Sequence, residues 1–162
     1  MNSLSQYLKP TRLCDFDRAP EIRDTAQRLT AKLNDKREVL NCVYQFVRRL
    51  PYGLEDWDVR ASETLRKGWG MCSGKTNLLV AMLRSLGIPA RYRIYKIRTE
   101  DTLWRWAASQ DSELAQLMGE PLSEQDHIVA GVYLNSWEAC DPARDPAFEA
   151  GQISNVSQEI EG

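Results

Sequence analysis

Apolar residues recur at helical spacing through the first fifty positions. Ile22, Ala26, Leu29 and Leu33 form one stripe behind Pro20, whose ring suits a first turn, and predict a helix over 20–33 that Asn34 ends. Asp35 opens a second helix with Glu38 three positions on as a capping box. Val39, Val43, Phe46, Val47 and Leu50 are its buried face up to Pro51. Cys42 shares that face and reads as a small buried hydrophobe. The pattern lapses in an aromatic and acidic connector, YGLEDWDVR (52–60), and resumes in a short helix, ASETLRK, ending at Gly68. A strongly apolar helix follows over 72–86 (Leu78, Leu79, Ala81, Met82, Leu83, Leu86), with Gly87 at its C-terminus and Pro89 beyond. ARYRIYKI, from Ala90, reads as a strand. A further long helix is predicted over 101–118, carrying Leu103, Trp104, Trp106, Ala107, Leu114 and Leu117, and reads as an insertion. HIVAGVYL and WEACD then form two strands around the turn residues Asn135 and Ser136, and the stretch from Pro142 to Gly162 is polar without a core pattern.

Length and charge narrow the function. At 162 residues with 43% hydrophobic content, the chain is expected to be a single domain over 1–162, with N-terminal helices over 1–50 and a core over 61–143. Lys+Arg and Asp+Glu number 21 and 23, so no basic stripe awaits phosphates and nucleic acid is not the expected partner. No signal-peptide pattern opens the sequence and no segment reaches the apolar length of a membrane span, so a cytoplasmic protein without a membrane partner is expected. The four cysteines, Cys14, Cys42, Cys72 and Cys140, are expected to stay reduced. None forms a C-x-x-C pair, and with one histidine in the chain no metal site or cofactor is expected.

The stretch GWGMCSGKTNLL (68–79) offers two chemistries. Its GKT resembles the end of a phosphate-binding loop, which requires a glycine five positions before Gly74 so that backbone amides wrap a phosphate. That position is Trp69, while Gly68 and Gly70 are out of register. A buried strand should also precede such a loop, and here the polar SETLRK does. Lys75 and Thr76 are then expected to be ordinary polar residues of a helix's first turn. The alternative is Cys72 as a nucleophile. At a helix N-terminus a thiol meets the positive end of the dipole and unpaired amides, both of which favour the attacking thiolate.

A thiol nucleophile needs a base, and His127 is the one histidine available. If the last two strands close with the three-residue loop Leu134, Asn135 and Ser136, then Tyr133 faces Trp137, Gly131 faces Ala139 and Val129 faces Asp141. His127 then lies diagonally from Asp141 on one face, at a Cβ separation of about 7–8 Å that two polar side chains bridge. Ile128, Ala130, Val132 and Leu134 on the opposite face are the core set.

Two blocks, ASETLRKGWGMCSGKTNLLVAMLRSLGIPARYRIY and DHIVAGVYLNSWEACDPA, resemble the transglutaminase-like (papain-type) cysteine enzyme superfamily, bacterial transglutaminase-core type. They cover Ala61 to Ala143. The resemblance implies an α+β fold, a Cys-bearing helix packed on an antiparallel β-sheet that carries His and Asp. It implies Cys72 as nucleophile, His127 as base and Asp141 as the residue orienting that base. Family members often place an aromatic two positions after the His and a carboxylate four after, where this chain has Val129 and Gly131, and the insertion over 101–125 is long for the minimal core. The activity expected is acyl transfer on an amide or ester bond of a peptide, protein or small molecule, by hydrolysis as a protease or amidase in preference to amine acyl transfer. A non-catalytic peptide-binding module is the rival class. Tyr52 and Trp57 are candidates for a second oxyanion donor or for substrate contact. Trp104 and Trp106, two apart on one helix, cannot both face inward, so one of them is a candidate for the cleft wall.

Overall fold

The computed structural model describes residues 4–98, 105, 109, 112–117 and 124–143. A 3₁₀ turn (Leu4–Leu8) precedes α1 (Pro20–Thr30), α2 (Lys36–Arg48), α3 (Ala61–Lys67) and α4 (Cys72–Ser85), followed by β1 (Ala90–Arg98), α5 (Ser112–Leu117), β2 (Glu124–Tyr133) and β3 (Trp137–Cys140). The strands form a sheet in the order β1-β2-β3.

Local chemistry sets the helix limits. α1 stops at Thr30, three residues before the predicted end, where the Thr30 hydroxyl donates back to the Ala26 carbonyl at 2.8 Å and the Leu33 amide folds onto the Thr30 carbonyl. Asp35 caps α2 as expected, accepting from the amides of Arg37 and Glu38 at 2.9 and 3.1 Å. α3 has no cap of its own; Asp15, distant in sequence, accepts from the Ser62 amide and hydroxyl at 3.1 and 2.6 Å. Gly68 and Gly87, at φ 74° and 78°, take the left-handed conformation that stops α3 and α4.

Each of two compact units gathers its own contacts. The first comprises 4–93 and 128–143 among the described residues. Its centre is α4, buried from Cys72 through Arg84 and packed against α1, α2 and α3. Leu78, Leu79, Val80, Ala81, Met82 and Leu83 are fully buried with Ile22, Ala26, Val43, Val47, Ala90, Ala130 and Val132. A helix covered on every side must also satisfy its polar side chains. Arg84 does so by donating to the carbonyls of Ala90 and Lys9 at 2.9 and 2.6 Å.

The β2–β3 hairpin has the predicted three-residue loop and register, with Tyr133 opposite Trp137 and Gly131 opposite Ala139. The predicted core set holds: Ala130 and Val132 are fully buried, while Ile128 and Leu134 pack on the two apolar clusters. The other face is covered as well, since Val129 is 1% exposed and the Arg91 and Arg93 stems lie over Gly131. Arg91 continues onto the Trp137 ring, 4.1 Å from its centroid. The second unit holds the described residues between 94 and 127. In it Lys96 of β1 pairs with Asp126 of β2 at 2.6 Å, and Tyr95 is buried. Of the predicted insertion helix, Ser112–Leu117 is helical, and Trp104 and Trp106 lie outside the described residues.

Candidate active site

Cys72 is the first residue of α4, where the sequence reading put it, and is 5% exposed. It clusters with Met71 and Ala143, and Tyr52 and Ile128 pack against this cluster. The connector 51–59 is fastened to the start of this helix by main-chain bonds, from the Gly70 amide to the Pro51 carbonyl (3.1 Å) and from the Gly53 amide to the Gly70 carbonyl (3.3 Å). That fastening brings Tyr52 to the Cys72 cluster.

Tyr52 keeps its proton. Burial pushes its phenol up, the nearby Cys72 and Asp141 push it further, and a hydrogen bond from the Cys72 amide to the phenol opposes the rise. Cys72 and Asp141 therefore both act electrostatically on the Tyr52 phenol. Asp141 follows β3. Its Oδ1 accepts from the Ala143 amide at 2.9 Å, and its carbonyl accepts from the Tyr44 hydroxyl at 3.1 Å. Cys72, Tyr52 and Asp141 thus share one corner of the first unit.

His127 is half-buried on β2 and is the last residue of the second unit. Its chain neighbour Ile128 belongs to the Cys72 corner, and the Ile128 carbonyl accepts from the Thr76 hydroxyl of α4 at 3.1 Å. Trp57, a candidate from sequence for oxyanion donor or substrate contact, is 48% exposed on the connector, with Leu54 at 42%. Their charged neighbour Glu55 turns inward.

Two functional neighbours escaped the sequence reading. Glu55, with a side chain 6% exposed, accepts from the Met71 amide at 2.8 Å and pairs with Lys67, whose ammonium also stands 4.1 Å from the Trp69 ring centroid. It caps the helix that Cys72 opens, where the Met71 side chain makes no capping bond. Lys75 and Thr76, expected to be ordinary polar residues, are both fully buried. Lys75 is tolerated there because its ammonium donates to three carbonyls, those of Arg48, Leu50 and Ala143, at 3.0, 2.7 and 3.1 Å. No local pattern signals either role, because the partners are distant in sequence.

The four cysteines, all among the described residues, are in no disulfide. Among the described residues no group of three or more His, Cys, Asp or Glu could hold a metal ion, and no helix is long and apolar enough to cross a membrane.

The family model described as the transglutaminase-like superfamily matches residues 23–142. Among solved structures, the chain is similar to a candidate cysteine protease from Cytophaga hutchinsonii (18% identity, TM-score 0.64, covering 99% of this chain and 54% of that one). It is similar also to the periplasmic domain of TgpA from Pseudomonas aeruginosa, bound to ethylmercury (16% identity, TM-score 0.60, 92% of this chain and 51% of that one). A candidate protease from Parabacteroides distasonis aligns at 17% identity and TM-score 0.52, over 85% of this chain and 25% of that one. The chain therefore spans about half the length of the first two structures, or less of the third. At these identities the likeness is one of fold. No curated protein matches by sequence.

Proposed function

Because the chain belongs to the transglutaminase-like superfamily, we propose that it is a cysteine-dependent acyl-transfer enzyme with Cys72 as nucleophile, His127 as general base and acid, and Asp141 as the group that orients His127. One observation carries the reading: Cys72 opens the buried helix α4 and clusters with Ala143, whose amide holds the Asp141 carboxylate at 2.9 Å, and Tyr52 packs on that cluster.

The chemistry proceeds in two halves. His127 takes the Cys72 thiol proton as the sulfur attacks an amide or ester carbonyl carbon, and the carbonyl electron pair moves onto oxygen. That oxygen accepts from the Cys72 backbone N–H, and the Tyr52 hydroxyl, still protonated, is a second donor. Collapse breaks the bond to the leaving amine or alcohol, to which His127 delivers the proton, and leaves a thioester on Cys72. His127 then takes a proton from water, the hydroxide adds to the thioester, and the acid departs with regeneration of the thiol.

Hydrolysis is preferred over amine transfer on the two protease designations among the structural neighbours. Trp57, Trp104 and Trp106 are proposed substrate contacts, tested singly as Ala variants for a rise in KM. We place the protein in the cytoplasm; one neighbour is a periplasmic domain, so cell fractionation is the deciding test. The function itself is tested with a panel of peptide amides and esters, with and without hydroxylamine, against the parent and Cys72→Ala. The expectation is release of acid, diverted to hydroxamate by hydroxylamine and abolished in the variant. Binding without turnover by both proteins would instead assign a peptide-binding module.

A further inference from the structure

Lys75 stands one turn after Cys72 on α4 and is the largest fully buried side chain among the described residues. A methionine would fill the same volume with no ammonium to desolvate. What it could not do is hold carbonyl groups. The three N–H bonds of the ammonium reach two segments outside α4: the end of α2 and its exit, through Arg48 and Leu50, and the chain after β3, through Ala143.

Both attachments lead to the active-site corner. Leu50 is followed by Pro51, whose carbonyl accepts from Gly70, and then by Tyr52, which packs on Cys72. Ala143 is held at both its main-chain groups. Its carbonyl accepts from Lys75 and its amide donates to the Asp141 carboxylate at 2.9 Å, while the residue itself packs against Cys72. The path from nucleophile helix to orienting carboxylate therefore runs Lys75 to Ala143 to Asp141, through two hydrogen bonds and one residue.

We propose that Lys75 is a positioning residue for acyl transfer, whose ammonium sets the Asp141 carboxylate and the Tyr52 segment at fixed distances from Cys72. The inference rests on the functional reading above and adds to it a residue that touches no substrate. It also accounts for a fully buried ammonium one turn into α4.

The test compares Lys75→Met, which keeps the length and loses every donor, and Lys75→Gln, which keeps two donors on a shorter stem, with Asp141→Asn and the double variant Lys75→Met/Asp141→Asn. Folding is checked by circular dichroism. Two readouts follow: hydrogen exchange of the Ala143 amide by NMR, and the iodoacetamide alkylation rate of Cys72 against pH, resolved by peptide mass spectrometry. The expected result for folded Lys75→Met is Ala143 exchange at least about tenfold faster, as a locally opened segment gives. Its rate–pH curve at Cys72 is displaced in the direction and by the extent seen for Asp141→Asn, with no further displacement in the double variant. Lys75→Gln falls between parent and Lys75→Met. Parental exchange and a parental curve, with only a lowered melting temperature, would overturn the inference, as would loss of fold in both Lys75 variants, which assigns the residue to stability alone. An unchanged curve in Asp141→Asn defeats the functional reading instead. The tether is then judged on Ala143 exchange, upheld if exchange is faster in Lys75→Met and overturned if it is not.

Discussion

Gly74 belongs to a triplet that resembles a phosphate loop, yet its lack of a side chain serves a carboxylate. A Cβ there would run into Glu55 and come within 2.8 Å of the Thr64 hydroxyl, so glycine is what lets Glu55 reach the start of α4. Gly74→Ala should destabilise the fold by about 1–3 kcal/mol, as overpacking does. Urea denaturation measures it, and a parental midpoint would show that Glu55 can withdraw without cost. Thiol reactivity is also decided residue by residue. Burial, the largest influence, pushes Cys14 up to about 12, and Asp15 adds to the rise against the opposing Arg84. Below that pH Cys14 stays a neutral thiol. In the folded protein at pH 7–9, iodoacetamide should therefore label Cys72 and spare Cys14 until denaturant is added; equal labelling of the two would contradict this. The place of Cys72 at a helix start was legible because Gly70 and the apolar run after it mark that start. The roles of Glu55 and Lys75 were not, because their partners stand as far as 16 and 68 positions away and nothing local announces them.

At the scale of elements, caps and periodicity were readable and long-range ties were not. The stripes of α1 and α2, the glycine stops of α3 and α4, and the hairpin register all rest on spacing within a few residues, and the structure has them. The cap of α3 by Asp15 depends on a residue 47 positions away, and the early end of α1 depends on a Thr30 hydroxyl whose rotamer no pattern encodes. Asp35→Ala removes the α2 cap and should cost about 1 kcal/mol, read from thermal or urea unfolding. An unchanged stability would mean that tertiary packing alone sets the helix start. α2 is further tied to β3 by Arg37 and Glu138, whose two contacts are both 2.5 Å. The hydrogen bond from Arg37 holds the Glu138 carboxyl below its usual range despite partial desolvation. A depressed carboxyl stabilises above the unfolded value and loses that contribution as pH falls through the folded one. Glu138→Gln should thus flatten part of the acid limb of the stability curve while changing little at high salt, since the pair is half exposed. An acid limb identical to the parent's would show that the pair does not differ between folded and unfolded states.

For the whole molecule, the α+β architecture was legible because its two diagnostic blocks carry local grammar, a cysteine before an apolar helix and a histidine strand turning into a second strand that ends in Asp-Pro. Of the segment between them, whose helix is expected over 101–118, Ser112–Leu117 is the continuous described part and is helical, and the rest of the expectation lies outside the described residues. The central claim, covalent acyl transfer through Cys72, is tested most directly by trapping the acyl-enzyme. The protein is mixed with an activated ester, quenched in acid within the first turnover, digested, and read by mass spectrometry, alongside Cys72→Ser, His127→Ala and Asp141→Asn. The account predicts one acyl group, carried by the peptide containing Cys72, absent in Cys72→Ser and formed at least about a hundredfold more slowly without the base. Ester turnover that persists in Cys72→Ser, or an acyl group found on Cys14, Cys42 or Cys140 instead, would contradict it.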